Sequence, residues 1–84
     1  MPFYLYILHS RLLNKFYIGH TSSIEDRIKT HLYKHGGFTS KAKDWVLVYS
    51  EEFSIKAEAQ ARELQIKKWK SRLMIEKLIE ENNV

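Results

Sequence analysis

Phe3-Tyr4-Leu5-Tyr6-Ile7-Leu8, followed after a polar break at residues 10–14 by Lys15-Phe16-Tyr17-Ile18-Gly19-His20, decides how this chain is read. The first run is aromatic and β-branched and too short for a typical helix, so it is a buried strand. The second alternates Phe16 and Ile18 against Tyr17 and Gly19, the period of a strand with two unlike faces. Joined by a short polar segment, the two predict a β-hairpin.

Beyond the hairpin the period changes. Ser22 with Glu25, or Ser23 with Asp26, has capping-box spacing, and Ile24, Ile28 and Leu32 recur every four residues up to Gly36-Gly37. That predicts a first helix over about residues 23–35. A polar loop at 38–44 leads to Trp45-Val46-Leu47-Val48-Tyr49, a third strand. Ser54 is placed to cap a second helix, from 55 to about 70, whose Ala57, Ala61 and Leu64 read as the packed stripe. Glu58–Arg62 and Glu63–Lys67 support it at i,i+4 spacing. Ser71 caps a third helix carrying Leu73, Met74, Leu78 and Ile79, which frays from residue 80. The order is ββαβαα: an α+β fold with a small three-stranded antiparallel sheet flanked by helices, forming one domain over residues 1–84. With the helices on one face, the other is expected to stay open and to present aromatic hydroxyls as a site.

Composition narrows the function. The chain has no cysteine, which excludes disulfides, Cys-based zinc fingers, iron–sulfur clusters and thiol nucleophiles, and fits a reducing compartment such as the cytoplasm. No run approaches the roughly 18–20 apolar residues of a membrane span, and the start Met1-Pro2-Phe3-Tyr4 lacks the basic segment of a secretory signal, so no membrane partner is expected. There is no Gly-x4-Gly-Lys loop, so P-loop nucleotide hydrolysis is excluded. The net charge of +4 is concentrated in residues 54–73, which carry six Lys or Arg against two Glu. A basic segment of that kind suits a polyanionic partner.

The candidate chemistry is scattered along the chain. Tyr6 and Tyr17 lie on neighbouring strands, where cross-strand and diagonal partners meet. Arg27 and His31 share a helix face apart from the Ile24–Ile28–Leu32 stripe, and Glu63 lies at the edge of the second helix's buried face. Taken singly, each has an ordinary structural reading: amphipathic sheet tyrosines, solvated helix charges, surface histidines at His9 and His20, packing roles for Trp45 and Trp69. His31 and His35 have metal-ligand spacing on a helix but lack a third ligand. The cluster Lys67-Lys68-Trp69-Lys70-Ser71-Arg72 is either a solvated helix end or a phosphate-backbone track beside Glu63.

Taken together, Tyr4-Leu5-Tyr6, then Tyr17-Ile18-Gly19, then Arg27 and a helical Glu63 resemble the GIY-YIG nuclease domain over nearly the whole chain. The stretches Phe38-Thr39-Ser40-Lys41, Leu47-Val48-Tyr49-Ser50-Glu51-Glu52-Phe53 and Glu63-Leu64-Gln65-Ile66-Lys67-Lys68 are similar to the small stand-alone bacterial subgroup, related to the N-terminal module of the excision-repair endonuclease. Tyr4 and Leu5 depart from the glycine and isoleucine of the first motif. The resemblance implies a metal-dependent endonuclease acting on DNA, branched or damaged, in repair. It implies that Tyr6 and Tyr17 flank the scissile phosphate and orient or deprotonate water, that His31 serves as base or phosphate contact, and that Arg27 stabilises the phosphoryl charge. Glu63 would hold one Mg2+ or Mn2+, and Lys41, Lys67, Lys68, Lys70 and Arg72 would contact the nucleic acid. Many relatives take their target from an attached recognition domain, so either low specificity or a protein partner is expected here.

Such chemistry answers the barrier of phosphodiester cleavage. Negative charge builds up in the transition state, and a fixed guanidinium and a hard cation oppose it. A phenol with an ordinary pKa near 10 is a poor base at neutral pH without help from a cation. The alternative is a catalytically silent nucleic-acid-binding module of the same fold, which would have no need of the carboxylate.

Overall fold

The structure, a computed structural model, describes residues 2–27 and 44–82. β1 (Phe3–Ser10) is the central strand of an antiparallel sheet in the order β2-β1-β3, with β2 (Lys15–Thr21) on one side and β3 (Val46–Phe53) on the other. The hairpin register sets Tyr6 opposite Gly19 and Leu8 opposite Tyr17. Leu5, Tyr6, Ile7 and Leu8 are all buried, so β1 is covered on both faces, as its unbroken apolar run requires.

Alternation along β1 divides the core. Leu5 and Ile7 join Ile18 and Ile66 beneath the helices, while Tyr6 and Leu8 pack with Trp45, Leu13, Tyr17 and Ile24 on the opposite side. The second face is therefore not open around Tyr6, contrary to expectation: Trp45, 2% exposed, closes it. Trp45 and Trp69 are packing residues, as expected.

The β1–β2 turn is pinned from two directions. The Ser10 hydroxyl, fully buried, donates to Asp44 Oδ1 at 2.6 Å and accepts from the Leu13 amide at 3.1 Å, and Asp44 Oδ2 accepts from the Leu12 amide at 2.8 Å. Asn14 closes the turn at φ 53°, a left-handed conformation that asparagine tolerates better than most residues. After β2, Ser23 rather than Ser22 caps the helical turn at residues 24–27, its hydroxyl accepting from the Asp26 amide at 3.4 Å. The rest of the expected first helix, with His31, and the loop with Lys41 lie outside the described residues.

β3 runs four residues past the expected end at Tyr49, through Glu51 and Glu52 to Phe53. Its charges are compatible with a sheet because Glu51 is paired: Arg62 Nη2 approaches Glu51 Oε2 at 3.1 Å, and the Tyr49 hydroxyl also donates to Glu51. The register slips by one between Ile7 and Leu8, whose partners are Tyr49 and Leu47.

Two helices follow, α1 (Lys56–Trp69) and α2 (Arg72–Glu81). Ser54 does not cap α1; Ile55 occupies the N-cap and gives no side-chain bond. The packed face of α1 also differs from expectation. Ala59 and Ile66 are buried, whereas Ala57 and Ala61 are exposed and Leu64 is 51% exposed. Alanine is nearly neutral in hydropathy, so an alanine stripe does not mark the inner face; Ile66 and Trp69 do. Ser71 caps α2 as expected, accepting from the Met74 amide at 3.3 Å. Lys70, at φ 48°, makes the sharp link between the helices.

Candidate active site

The site grows from the pairing of Tyr6 with Gly19. A Cβ on Gly19 would lie 2.5 Å from the Tyr6 hydroxyl, so the phenol occupies the volume that a side chain on β2 would need. The glycine is required for close approach and not for its backbone freedom. With the ring lying across β2, Tyr6 stacks on Tyr17 at 6.3 Å between centroids, and Tyr17 in turn meets the edge of Trp45 at 6.4 Å. The helical turn brings Arg27 to the same place, where its Nε donates to the Tyr6 hydroxyl at 3.3 Å.

This phenol is held in its neutral form. Burial pushes Tyr6 up to about 12, against the pull of the Arg27 hydrogen bond, with Tyr17 and Glu63 raising it further. Arg27, bonded first to Tyr6 and also to Tyr17, has its guanidinium pKa raised above its already high value. It is exposed and permanently charged.

Glu63 lies on the packed stripe of α1 between Ala59 and Ile66 and meets β2 from the helix side. Its Oε1 is 2.6 Å from His20 Nδ1 and its Oε2 accepts from Lys67 Nζ at 2.8 Å. Burial alone would raise this carboxyl, but the Lys67 and His20 hydrogen bonds outweigh it and hold it below the ordinary value of 4.5. Gly19 and His20 are adjacent, so the Tyr6–Tyr17–Arg27 half and the His20–Glu63 half face opposite sides of one short stretch of β2. A depression of about 220 Å³ at the end of that strand, lined by Phe3, His20, Thr21, Ser22, Arg27 and Lys56, joins them.

Tyr6, Tyr17 and Arg27 are thus brought into contact, with Glu63 close enough for its charge to act on Tyr6. Sequence reasoning missed His20, reading it as a surface residue. The available signal was parity: His20 is two residues beyond Ile18 and shares its helix-facing side of β2. The basic cluster is divided in its uses. Lys68 and Lys70 are exposed, Lys67 is paired with Glu63, and Arg72 fastens the hairpin turn. Arg72 donates to Asn14 O at 2.7 Å, to Asn14 Oδ1 at 2.5 Å and to Glu76 at 2.9 Å, with its guanidinium 5.2 Å from the Phe16 ring centroid. Beside it lies a depression of about 350 Å³, floored by Phe16, Ile18 and Ile66 and rimmed by Lys15, Lys67 and Lys70.

Among the described residues there is no group of three His, Cys, Asp or Glu side chains able to cage a metal ion. The donors suit a different kind of ion. A single ionised carboxylate suits Mg2+ or Mn2+, hard cations that prefer oxygen, keep several waters and need few protein ligands, whereas the His20 imidazole is a softer donor already bonded to that carboxylate. Nor, among the described residues, is any helix long and apolar enough to cross a membrane.

The chain is similar to known proteins over nearly its whole length. The family model for the GIY-YIG catalytic domain matches residues 2–77. A UPF0213 protein of Staphylococcus haemolyticus is 43% identical over 79 residues, covering 93% of this chain and 94% of that one. A UPF0213 protein of Clostridium perfringens is 40% identical over 85 aligned positions, covering 95% and 90% respectively. The solution structure of a UPF0213 protein from Bacillus halodurans superposes with a TM-score of 0.62 at 30% identity, covering 98% of this chain and 86% of that one.

Proposed function

Because this chain belongs to the GIY-YIG catalytic domain family, a family of nuclease type, we propose that it is a metal-dependent endonuclease hydrolysing DNA phosphodiester bonds. One observation carries the reading: the exposed Arg27 guanidinium is bonded to the buried Tyr6 hydroxyl, and His20, next to Gly19 on the same strand, holds the part-buried Glu63 carboxylate. For binding alone a carboxylate near phosphates is unfavourable, since like charges there weaken binding.

Hydrolysis requires water to attack phosphorus while the bond to the leaving oxygen breaks and the water's proton is taken up. Arg27, fixed by two phenols, opposes the charge that develops on the phosphoryl oxygens. Tyr6 is buried and stays protonated at neutral pH, so it does not take the proton and acts by holding Arg27 through its hydroxyl. As the resemblance implies, that proton would go to Tyr17, provided its hydroxyl has first ionised, or to His31, which lies outside the described residues. Glu63, oriented by His20, would hold the divalent cation, which would supply Lewis-acid charge to the leaving oxygen when bound. Lys68 and Lys70 extend a positive track for the backbone of the DNA, to which Lys41 would add.

The test is cleavage of labelled duplexes, flaps and single strands with Mg2+ or Mn2+ and with EDTA, using wild type, Glu63→Ala and Arg27→Ala. Metal-dependent cutting lost in both variants is the expected result. Absence of cutting by wild type, with salt-sensitive binding intact, would overturn it in favour of a silent binding module.

A further inference from the structure

Both oxygens of Glu63 are already occupied, one by His20 at 2.6 Å and one by Lys67 at 2.8 Å. Each oxygen keeps a second lone pair, yet a divalent cation bound there would stand beside the Lys67 ammonium, and like-charge repulsion favours the departure of one partner. The two partners are not equally held. His20 is 24% exposed and anchored in β2, whereas Lys67 is 50% exposed, on a flexible stem four residues along the same helix. Exposed ion pairs of this spacing are weak, and the ammonium is the one to leave. Lys67 also has somewhere to go. It rims the 350 Å³ depression together with Lys15 and Lys70, on the side of α1 next to Glu63.

We propose that Lys67 is an exchangeable counter-ion: it neutralises Glu63 until a divalent cation arrives, then turns its ammonium into the Lys15–Lys70 depression and becomes a contact to a DNA phosphate. This rests on the reading that Glu63 holds the cation, and adds a coupling that the cation alone does not provide. One side chain belongs to two sites, so occupancy of one favours occupancy of the other. By linkage a phosphate that draws Lys67 away also tightens cation binding. The arrangement keeps the carboxylate paired when no cation is present, which avoids leaving a part-buried charge without a partner.

The test uses the whole chain and measures binding. Mn2+ alone is titrated, by electron paramagnetic resonance, into wild type, Lys67→Met and Glu63→Gln. Removing the competing ammonium should tighten Mn2+ binding roughly two- to fivefold, the ratio that an exposed ion pair represents, and Glu63→Gln should abolish it. In parallel, the salt dependence of binding to a short DNA duplex is measured with Mn2+ and with EDTA. Wild type should gain about one phosphate contact in Mn2+, a slope change of roughly 0.9, that Lys67→Met does not gain. If Glu63→Gln abolishes Mn2+ binding while Lys67→Met leaves affinity and slope unchanged, the exchange is refuted and the cation reading stands. If wild type and Lys67→Met both fail to bind Mn2+, the cation reading falls and the exchange with it. Lys67 is half exposed, so Lys67→Met is expected to fold, and its thermal melt confirms that the comparison is sound.

Discussion

Replacing Gly19 by alanine probes the contact on which the site is built. The added Cβ would stand 2.5 Å from the Tyr6 hydroxyl, 2.7 Å from Cζ and 3.1 Å from Cε1. Non-bonded carbons rest about 3.5–4.0 Å apart, so the ring or the strand must yield by roughly 1 Å. Tyr6 is 1% exposed and packed with Leu8, Trp45 and Tyr17, so the ring has little room to retreat. Overpacking of this kind costs about 1–3 kcal/mol, and in a domain this small each kcal/mol lowers Tm by roughly 4–8 °C. Thermal and urea denaturation should therefore place Gly19→Ala at least about 4 °C below wild type. Tyr6→Phe removes the nearest atom but leaves Cζ, so the double variant should be less destabilised than the sum of the two by about 0.5–2 kcal/mol. A Gly19→Ala melt matching wild type, or costs that simply add, would refute the argument that the phenol fills the glycine's side-chain volume.

Arg72→Ala should destabilise the chain by about 1–3 kcal/mol by releasing Asn14 and the hairpin turn. Arg72→Lys should restore little, because a point charge cannot reproduce the fork to Asn14 O and Oδ1; a melt unchanged in Arg72→Ala would show that the turn does not depend on this clamp. In alkaline titration of phenolate absorbance, Tyr6 and Tyr49, both pushed by burial up to about 12, should ionise later than the ordinary value of 10.0. A raised phenol favours the folded state fully below 10.0 and loses that contribution as pH climbs towards 12, so Tyr6→Phe should remove part of the late absorbance and flatten the alkaline loss of stability. A folded protein whose five tyrosines titrate together near 10 would contradict this. On the acid side, Glu63 is held below its ordinary value by Lys67 and His20 in spite of burial, so its stabilisation is present above about 4.5 and fades as pH falls through the folded value. Denaturation midpoints measured across that range should fall less steeply in Glu63→Gln, and equal slopes would count against the pairing.

Where recognition from sequence succeeded, the signal was local. The β1–β2 alternation places Tyr6 and Tyr17 on the same face, and the Ser23 and Ser71 caps mark helix starts within a few residues of the side chains that satisfy them. Where it failed, the deciding partner was remote or the signal was chemically neutral. His20 owes its role to Glu63, 43 residues away. The fastening of the hairpin turn by Arg72 depends on Asn14, 58 residues back. The extension of β3 through Glu51 and Glu52 depends on Arg62 arriving from α1.

The amino-acid sequence by itself determined the hairpin, the order of the described elements and the residue types able to oppose phosphoryl charge. Those properties follow from periodicities of two and about four and from short-range capping, which need no knowledge of what packs where. Tertiary structure decided which face of α1 turns inward, that Tyr6 is buried and protonated over Gly19, and that Glu63 is paired with both His20 and Lys67. Burial and pairing are properties of a site's surroundings, and here those surroundings are assembled from segments far apart along the chain.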